Sequence, residues 1–342
     1  MEDKKVCIIY TGGTIGMVPT EDGFAPQKGF LNQALTNIHD LSAPGMASWD
    51  LVEFDPLLDS SNISFKEWNQ IAETIRSLYD EYDGFVVLHG TDTMAYSTSA
   101  LSFMLEGLNK PVVFTGSQIP LSMLRSDGYD NIITSVMIAA EGKVREVCLY
   151  FSNKLLRGNR ATKYSADELI AFDSPNFPPL AEAGIDIHYK KAAQARNEQD
   201  GEWKQLNVTP MQQFNIGVIK LFPGIRFELF SPIVRDDLDA LILETFGTGN
   251  IPSTDKSLPP FIAKAIDHGT SVIVITQCPQ GSVRLGAYEA GSALAKAGAI
   301  SGYNMTTEAA VTKLTYLLSL GKTQEEIRTL METDLRGELD KL

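Results

Sequence analysis

Val6-Cys-Ile-Ile-Tyr10 runs directly into Thr11-Gly-Gly-Thr-Ile-Gly16, and Gly84-Phe-Val-Val-Leu88 runs directly into His89-Gly-Thr-Asp-Thr93. Each apolar run is rich in β-branched residues and shows no in-out alternation, the pattern of a strand buried on both faces of a parallel sheet. Between them, Ser64-x-x-Glu67 opens a stretch carrying Phe65, Trp68, Ile71, Ala72, Ile75, Leu78 and Tyr79 at helical spacing. That is a capping box followed by an amphipathic helix, so the three segments form one βαβ crossover. Outward from this unit, similar apolar runs at 111–115, 146–150, 217–221, 240–243 and 271–276 alternate with helical patterns at 93–105, 126–140, 258–268 and 307–320. The repeated alternation predicts an α/β protein with a larger N-terminal, doubly wound, mostly parallel sheet and a smaller C-terminal α/β domain. In such sheets ligands bind at the carboxyl ends of the strands, which is where both glycine- and threonine-rich turns fall.

A chain of 342 residues is long enough for two domains. Composition changes abruptly over 190–209, where KKAAQARNEQDGEWKQLNVT is polar and almost free of branched aliphatics. This predicts a catalytic domain over 1–189, a linker over 190–212 and a C-terminal domain over 213–342. Asn176-Phe-Pro-Pro-Leu180 reads as a loop, because proline fits neither a helix interior nor a central strand.

The 43 acidic and 29 basic residues leave a formal charge of −14, with no basic run to break it. Nucleic acid and anionic membranes are therefore poor partners. No apolar run approaches the ~18 residues that a spanning helix needs. The run after Lys5 is too short for a secretory leader. Cys7, Cys148 and Cys278 are odd in number, far apart and set in apolar segments, which is how cysteine is used in a reducing compartment. The expected location is the cytoplasm.

The chemistry-bearing candidates sit at the two strand ends. Gly12, Gly13 and Gly16 do not follow the G-x-G-x-x-G order of a dinucleotide site, and no Gly-Lys-Ser/Thr follows to make a phosphate loop. A plain tight turn is the alternative, but the hydroxyls of Thr11 and Thr14 bracket the glycines. The second turn offers Thr91 and Asp92. A threonine hydroxyl is a weak nucleophile until a base takes its proton or a cation lowers its pKa, so a charged group is needed. Asp92 and Lys163, in Arg157-Gly-Asn-Arg-Ala-Thr-Lys163, are candidates. Their competing readings are a helix N-cap and a solvated surface cation. His89, beside a buried strand end, reads as a hydrogen-bonded packing residue rather than a base. The four histidines are scattered and no C-x-x-C or H-x-x-x-H occurs, so no metal and no cofactor are expected. No G-x-S-x-G elbow is present.

The two signatures, 11–15 and 84–93, together resemble those of the bacterial-type L-asparaginases, and the whole chain is similar to the cytoplasmic type I branch. Gly116-Ser-Gln-Ile-Pro-Leu121, Leu124-Arg-Ser-Asp-Gly128, Arg157-Gly-Asn-Arg160, Ala183-Gly-Ile185 and Met305-Thr-x-Glu-Ala309 keep the family's order along the chain. The resemblance implies hydrolysis of L-asparagine to L-aspartate and ammonia, with Thr14 as the nucleophile that forms an acyl-enzyme ester. It implies that Thr91, Asp92 and Lys163 form a second hydroxyl with its charge pair. Thr91 would orient the attacking water or lose its own proton, and Asp92 would also face the substrate α-ammonium. Asp59, Ser60 and Ser61 match the family's substrate loop. Phe24 stands where many relatives carry tyrosine, and Tyr288 matches a tyrosine that reaches in from a neighbouring subunit. A homodimer or homotetramer with shared sites is thus implied.

Two rival functions accompany this one. Glutaminase activity is close, because one methylene separates the substrates. An amidotransferase subunit feeding ammonia to a tRNA-charging complex would be expected to carry a further N-terminal domain and a less acidic surface. The stretch 16–29, punctuated by Pro19, Gly23, Pro26 and Gly29, is expected to be an irregular lid over Thr14. Some type I relatives bind a second asparagine through an arginine, at a site whose other positions match Thr162 and Cys278. The arginine's place is taken here by Glu244, so no effector site is expected unless Arg226 or Arg284 restores the clamp.

Overall fold

The computed structural model describes residues 1–21, 23–191, 205–252, 257–286 and 289–341. The chain divides into two compact units, Met1–Pro210 and Met211–Leu342. Most of the stretch read as a linker lies outside the described residues. Its tail does not: Asn207–Val208 pairs antiparallel with Leu105–Glu106, within the first unit.

The first unit is built on an eight-stranded sheet. Lys5–Gly12 lies between Ser48–Leu58 and Gly84–Leu88, parallel to both. Gly84–Leu88, Val112–Thr115 and Val147–Phe151 continue the parallel order. Lys154–Arg157, Ala181–Ala183 and Ile187–Tyr189 complete the sheet as antiparallel strands. The chain leaves Lys5–Gly12 toward one edge and leaves Gly84–Leu88 toward the other. The gap between these two strands is therefore a topological switch point, where a crevice opens at the carboxyl ends. Val6 through Tyr10 and Gly84 through Leu88 are fully buried, as continuous apolar strands require.

The helix Phe65–Ser77 buries Trp68, Ile71, Ala72 and Ile75. Its start is fixed as the sequence predicts: Ser64 N donates to Glu67 Oε2 at 2.7 Å and Lys66 N donates to Ser64 Oγ at 3.3 Å. Helices Met94–Met104 and Gly128–Glu141 follow the strands Gly84–Leu88 and Val112–Thr115 respectively. The segment expected to be irregular contains an antiparallel hairpin, Met17–Thr20 against Gly23–Pro26. Phe24 on this hairpin is half exposed.

The second unit carries four parallel strands in the order Ile216–Lys220, Ala240–Thr245, Ser271–Thr276 and Ile300–Ser301. Leu241, Leu243, Val272 and Val274 pack against Phe261, Ile262 and Leu294. Lys313 Nζ meets Glu338 Oε1 at 2.5 Å with both side chains fully buried, and also donates to the carbonyls of Met331 and Thr333. This pair ties the C-terminal segment to the helix Thr307–Ser319. Among the described residues no helix is long and apolar enough to cross a membrane, and no group of three His, Cys, Asp or Glu side chains is placed to hold a metal ion.

Candidate active site

Four loops meet at the switch point, and glycine sets how closely. A β-carbon on Gly12 would lie 2.1 Å from Leu58 O, and one on Gly13 would lie 2.4 Å from Gly90 N. On Gly90 it would lie 2.4 Å from Ser60 Oγ, and on Gly116 2.5 Å from His89 O. No side chain fits at such separations. The turns 11–16, 58–61, 89–93 and 116–118 are therefore held in direct contact by the absence of β-carbons. Gly12 and Gly13 also adopt φ of 132° and 93°, a region that side-chain-bearing residues avoid.

Thr14 begins a single 3₁₀ turn, Thr14–Gly16, and is half-buried. Thr11 is buried and donates to Leu88 O at 3.0 Å, so its hydroxyl links the strands Lys5–Gly12 and Gly84–Leu88 and is not offered to a ligand. Thr91 is 7% exposed. Its hydroxyl donates to Gln118 Oε1 at 3.2 Å and accepts from Lys163 Nζ at 3.0 Å. Lys163 Nζ also lies 2.6 Å from Asp92 Oδ1, with the lysine side chain 21% exposed and the aspartate 65%. Lys163 is thus not a free surface cation. The residue at the cap of the helix Met94–Met104 is Thr93, and the Asp92 carboxylate turns to Lys163.

Asp59 Oδ1 accepts from Ser61 N at 3.0 Å, closing a short turn in which Ser60 is buried while Asp59 and Ser61 are exposed. Thr93 Oγ1 donates to Ser60 O at 2.7 Å, fastening this turn to the Thr91 loop. The exposed flank of the turn carries the Ser61 side chain, while Ser61 N, Asn62 N and Ile63 N donate to Asp59 Oδ1, Asp59 O and Ser60 O within the turn. Tyr288 lies outside the described residues.

His89 is fully enclosed. Its Nδ1 lies 2.7 Å from Gly90 O and its Nε2 2.8 Å from Ser97 Oγ, which also accepts from Trp68 Nε1 at 3.0 Å. A carbonyl accepts only, so Nδ1 carries the proton and Nε2 accepts from Ser97. Burial pushes the imidazole down to about 4, with its bond to the Gly90 carbonyl opposing the shift. A neutral ring with both nitrogens engaged fixes the Gly90 carbonyl and performs no proton transfer at neutral pH. Gln118 was not among the residues singled out from the sequence. Its motif, Gly116-Ser-Gln-Ile-Pro, marks a loop after a parallel strand, and that was the signal available.

The arrangement offers two threonine hydroxyls one residue beyond a backbone-to-backbone contact, a lysine on one of them and a carboxylate beside it. Comparison with known proteins points to one family. Residues 5–195 match the family model described as asparaginase, N-terminal, and residues 215–331 match the glutaminase/asparaginase C-terminal domain. The chain is 47% identical over 339 residues to L-asparaginase 1 of Escherichia coli strain K12, covering 99% of each chain. It is similar to the solved structure of L-asparaginase I from Vibrio cholerae, with TM-score 0.91 and 43% identity over 99% of this chain and 100% of that one. The thermostable L-asparaginase from Thermococcus kodakarensis also matches, with TM-score 0.88 and 32% identity over the same shares. Motifs, architecture and matches at both units lead to one assignment: the chain belongs to the asparaginase family.

Proposed function

We propose that this chain is an L-asparagine amidohydrolase working through a threonine ester. Thr14 Oγ attacks the side-chain amide carbon, its proton ends on the departing nitrogen, and ammonia leaves. Water then attacks the ester carbon, its proton returns to Thr14 Oγ, and aspartate is released. Thr91, held between Lys163 and Gln118, orients that water. The Lys163 ammonium favours negative charge on nearby oxygen by simple opposite charge. Backbone amides of the two contacting turns supply donors to the tetrahedral oxyanion. Asp92 faces the α-ammonium, and the turn Asp59, Ser60, Ser61 receives the α-carboxylate.

The observation that carries this reading is the Gly13 and Gly90 contact, which draws the turns bearing Thr14 and Thr91 together with Lys163 bonded to the second hydroxyl. The finer parts of the proposal are a cytoplasmic location and a homodimer or homotetramer with Tyr288 completing a neighbour's site. Cys7 and Cys148, reduced thiols buried as core residues, support the location. Ammonia release from L-asparagine by the purified protein, compared with L-glutamine at equal concentration, tests the function. No release from either amide overturns it, and a higher kcat/KM for glutamine replaces the substrate.

A further inference from the structure

We propose that Gln118 sets the direction of the Thr91 hydroxyl, a positioning role in the reaction proposed above, on which this inference rests. The amide of Gln118 has no freedom to flip. Its Nε2 donates to the carbonyls of Ala166 at 3.1 Å and Glu168 at 3.2 Å. Both partners accept only, so the nitrogen must face them and Oε1 must face Thr91. An amide oxygen cannot donate. The contact of 3.2 Å therefore carries the single hydroxyl proton of Thr91. Lys163 Nζ, 3.0 Å away, donates into one lone pair of the same oxygen. The lone pair that remains makes Thr91 an acceptor, not a donor, toward a water or toward the Thr14 hydroxyl.

The other end of Gln118 is equally fixed. The Asp127 carboxylate accepts from Gln118 N at 3.1 and 3.0 Å and from Ile119 N at 3.0 Å. Asn131 Nδ2 donates to that carboxylate at 3.3 Å and to Gly116 O at 3.0 Å. The two carbonyls belong to the bend between Thr162–Lys163 and Phe172–Asp173, which Ser165 Oγ organises by accepting from Asp167 N and Glu168 N. Gln118 thus joins Thr91 to the same loop that supplies Lys163. A mere brace for that loop would need only the Nε2 bonds. The Oε1 bond is the additional feature, and it acts on the reacting hydroxyl.

The test is Gln118→Met, similar in length but without the amide, made in the parent and in a Thr91→Val background. In the parent, kcat is expected to fall at least about fivefold with KM within about threefold, because the effect runs through one hydroxyl. With Thr91→Val already in place, Gln118→Met is expected to add no further loss to the residual turnover. A parent loss below fivefold, or the same fold loss in both backgrounds, overturns the proposal. Gln118→Leu, read in the same two backgrounds, replaces the methionine variant should that variant not fold. Equal fold losses in the two backgrounds overturn the proposal here too. A parent silent on asparagine would count against the amidohydrolase reading, whereas an active parent with indifferent variants counts against Gln118 alone.

Discussion

Gly13 and Gly90 touch backbone to backbone: a β-carbon on Gly13 would lie 2.4 Å from Gly90 N and 2.5 Å from Gly90 Cα. The contact joins the ends of two neighbouring parallel strands and draws the turns bearing Thr14 and Thr91 to one place. Its partners make a discriminating pair of substitutions. Gly13→Ala meets backbone at a φ of 93°, so nothing nearby can yield. It is expected to cost at least ~2 kcal/mol of stability and most of the activity. Gly90→Ala meets the Oγ and Cβ of Ser60 instead. Ser60→Gly should therefore restore part of the stability lost in Gly90→Ala and none of that lost in Gly13→Ala, as urea midpoints will show.

Thr14→Ala and Thr91→Ala should each leave no more than a few per cent of kcat, about 2 kcal/mol or more of transition-state stabilisation. Neither deletes core, because Thr14 is half-buried in a turn and Thr91 spends its hydroxyl on Gln118 and Lys163. Circular dichroism should stay at the parent's. Substantial turnover in a folded variant of either kind would refute the assignment of that residue.

Much of this fold was legible because parallel strands buried on both faces read as uninterrupted apolar runs, and Gly84–Leu88 and Ser271–Thr276 keep their expected limits. The edge strand Ser48–Leu58 was not legible. It pairs on one side only, and Asp50, Glu53 and Asp55 hide it among polar residues. The return at Ser152 and Asn153 escaped for a different reason: both adopt left-handed backbone without a glycine to announce it. At the site, hydroxyls and charges at strand ends could be read from sequence. The Gln118 bridge could not, since it depends on a bend some fifty positions later in the chain.

His89 makes stability depend on pH with a definite sign. Its folded pKa is about 4, below the ~6.5 of an unfolded histidine. Between these values the unfolded chain takes up a proton that the folded chain refuses. Stability is therefore expected to fall as pH drops from about 6.5 to about 4, by up to ~3 kcal/mol for this group, and the contribution levels off below. His89→Gln should flatten that part of the curve when midpoints are measured across the range. An unchanged slope would show that other groups govern acid sensitivity.

Lys313 and Glu338 form a fully buried pair at 2.5 Å. Removing one partner strands a charge, so Lys313→Met is expected to destabilise the protein by ~3–5 kcal/mol. Replacing both, as Lys313→Met with Glu338→Leu, should be less damaging than the single change. A double variant that unfolds at lower urea than the single would show that the hydrogen bonds of Glu338 to Leu335 N and Arg336 N outweigh the pair.

Saturation with asparagine should be hyperbolic. In relatives that bind asparagine at a second site an arginine clamps its α-carboxylate, and the resemblance places Glu244 at that position. Glu244 is engaged within its own unit: Thr307 Oγ1 donates to Oε1 at 2.7 Å and Lys220 Nζ lies 3.7 Å from Oε2. A carboxylate held this way presents repulsion where the relatives present a bidentate attraction. Charge-assisted bonds of that kind are typically worth ~1.5–3 kcal/mol, so an effector would bind at least about tenfold more weakly. Glu244→Arg should then bring sigmoidal kinetics. Steady-state rates against asparagine decide between these outcomes. A Hill coefficient clearly above one in the parent would show that Glu244 does not prevent effector binding.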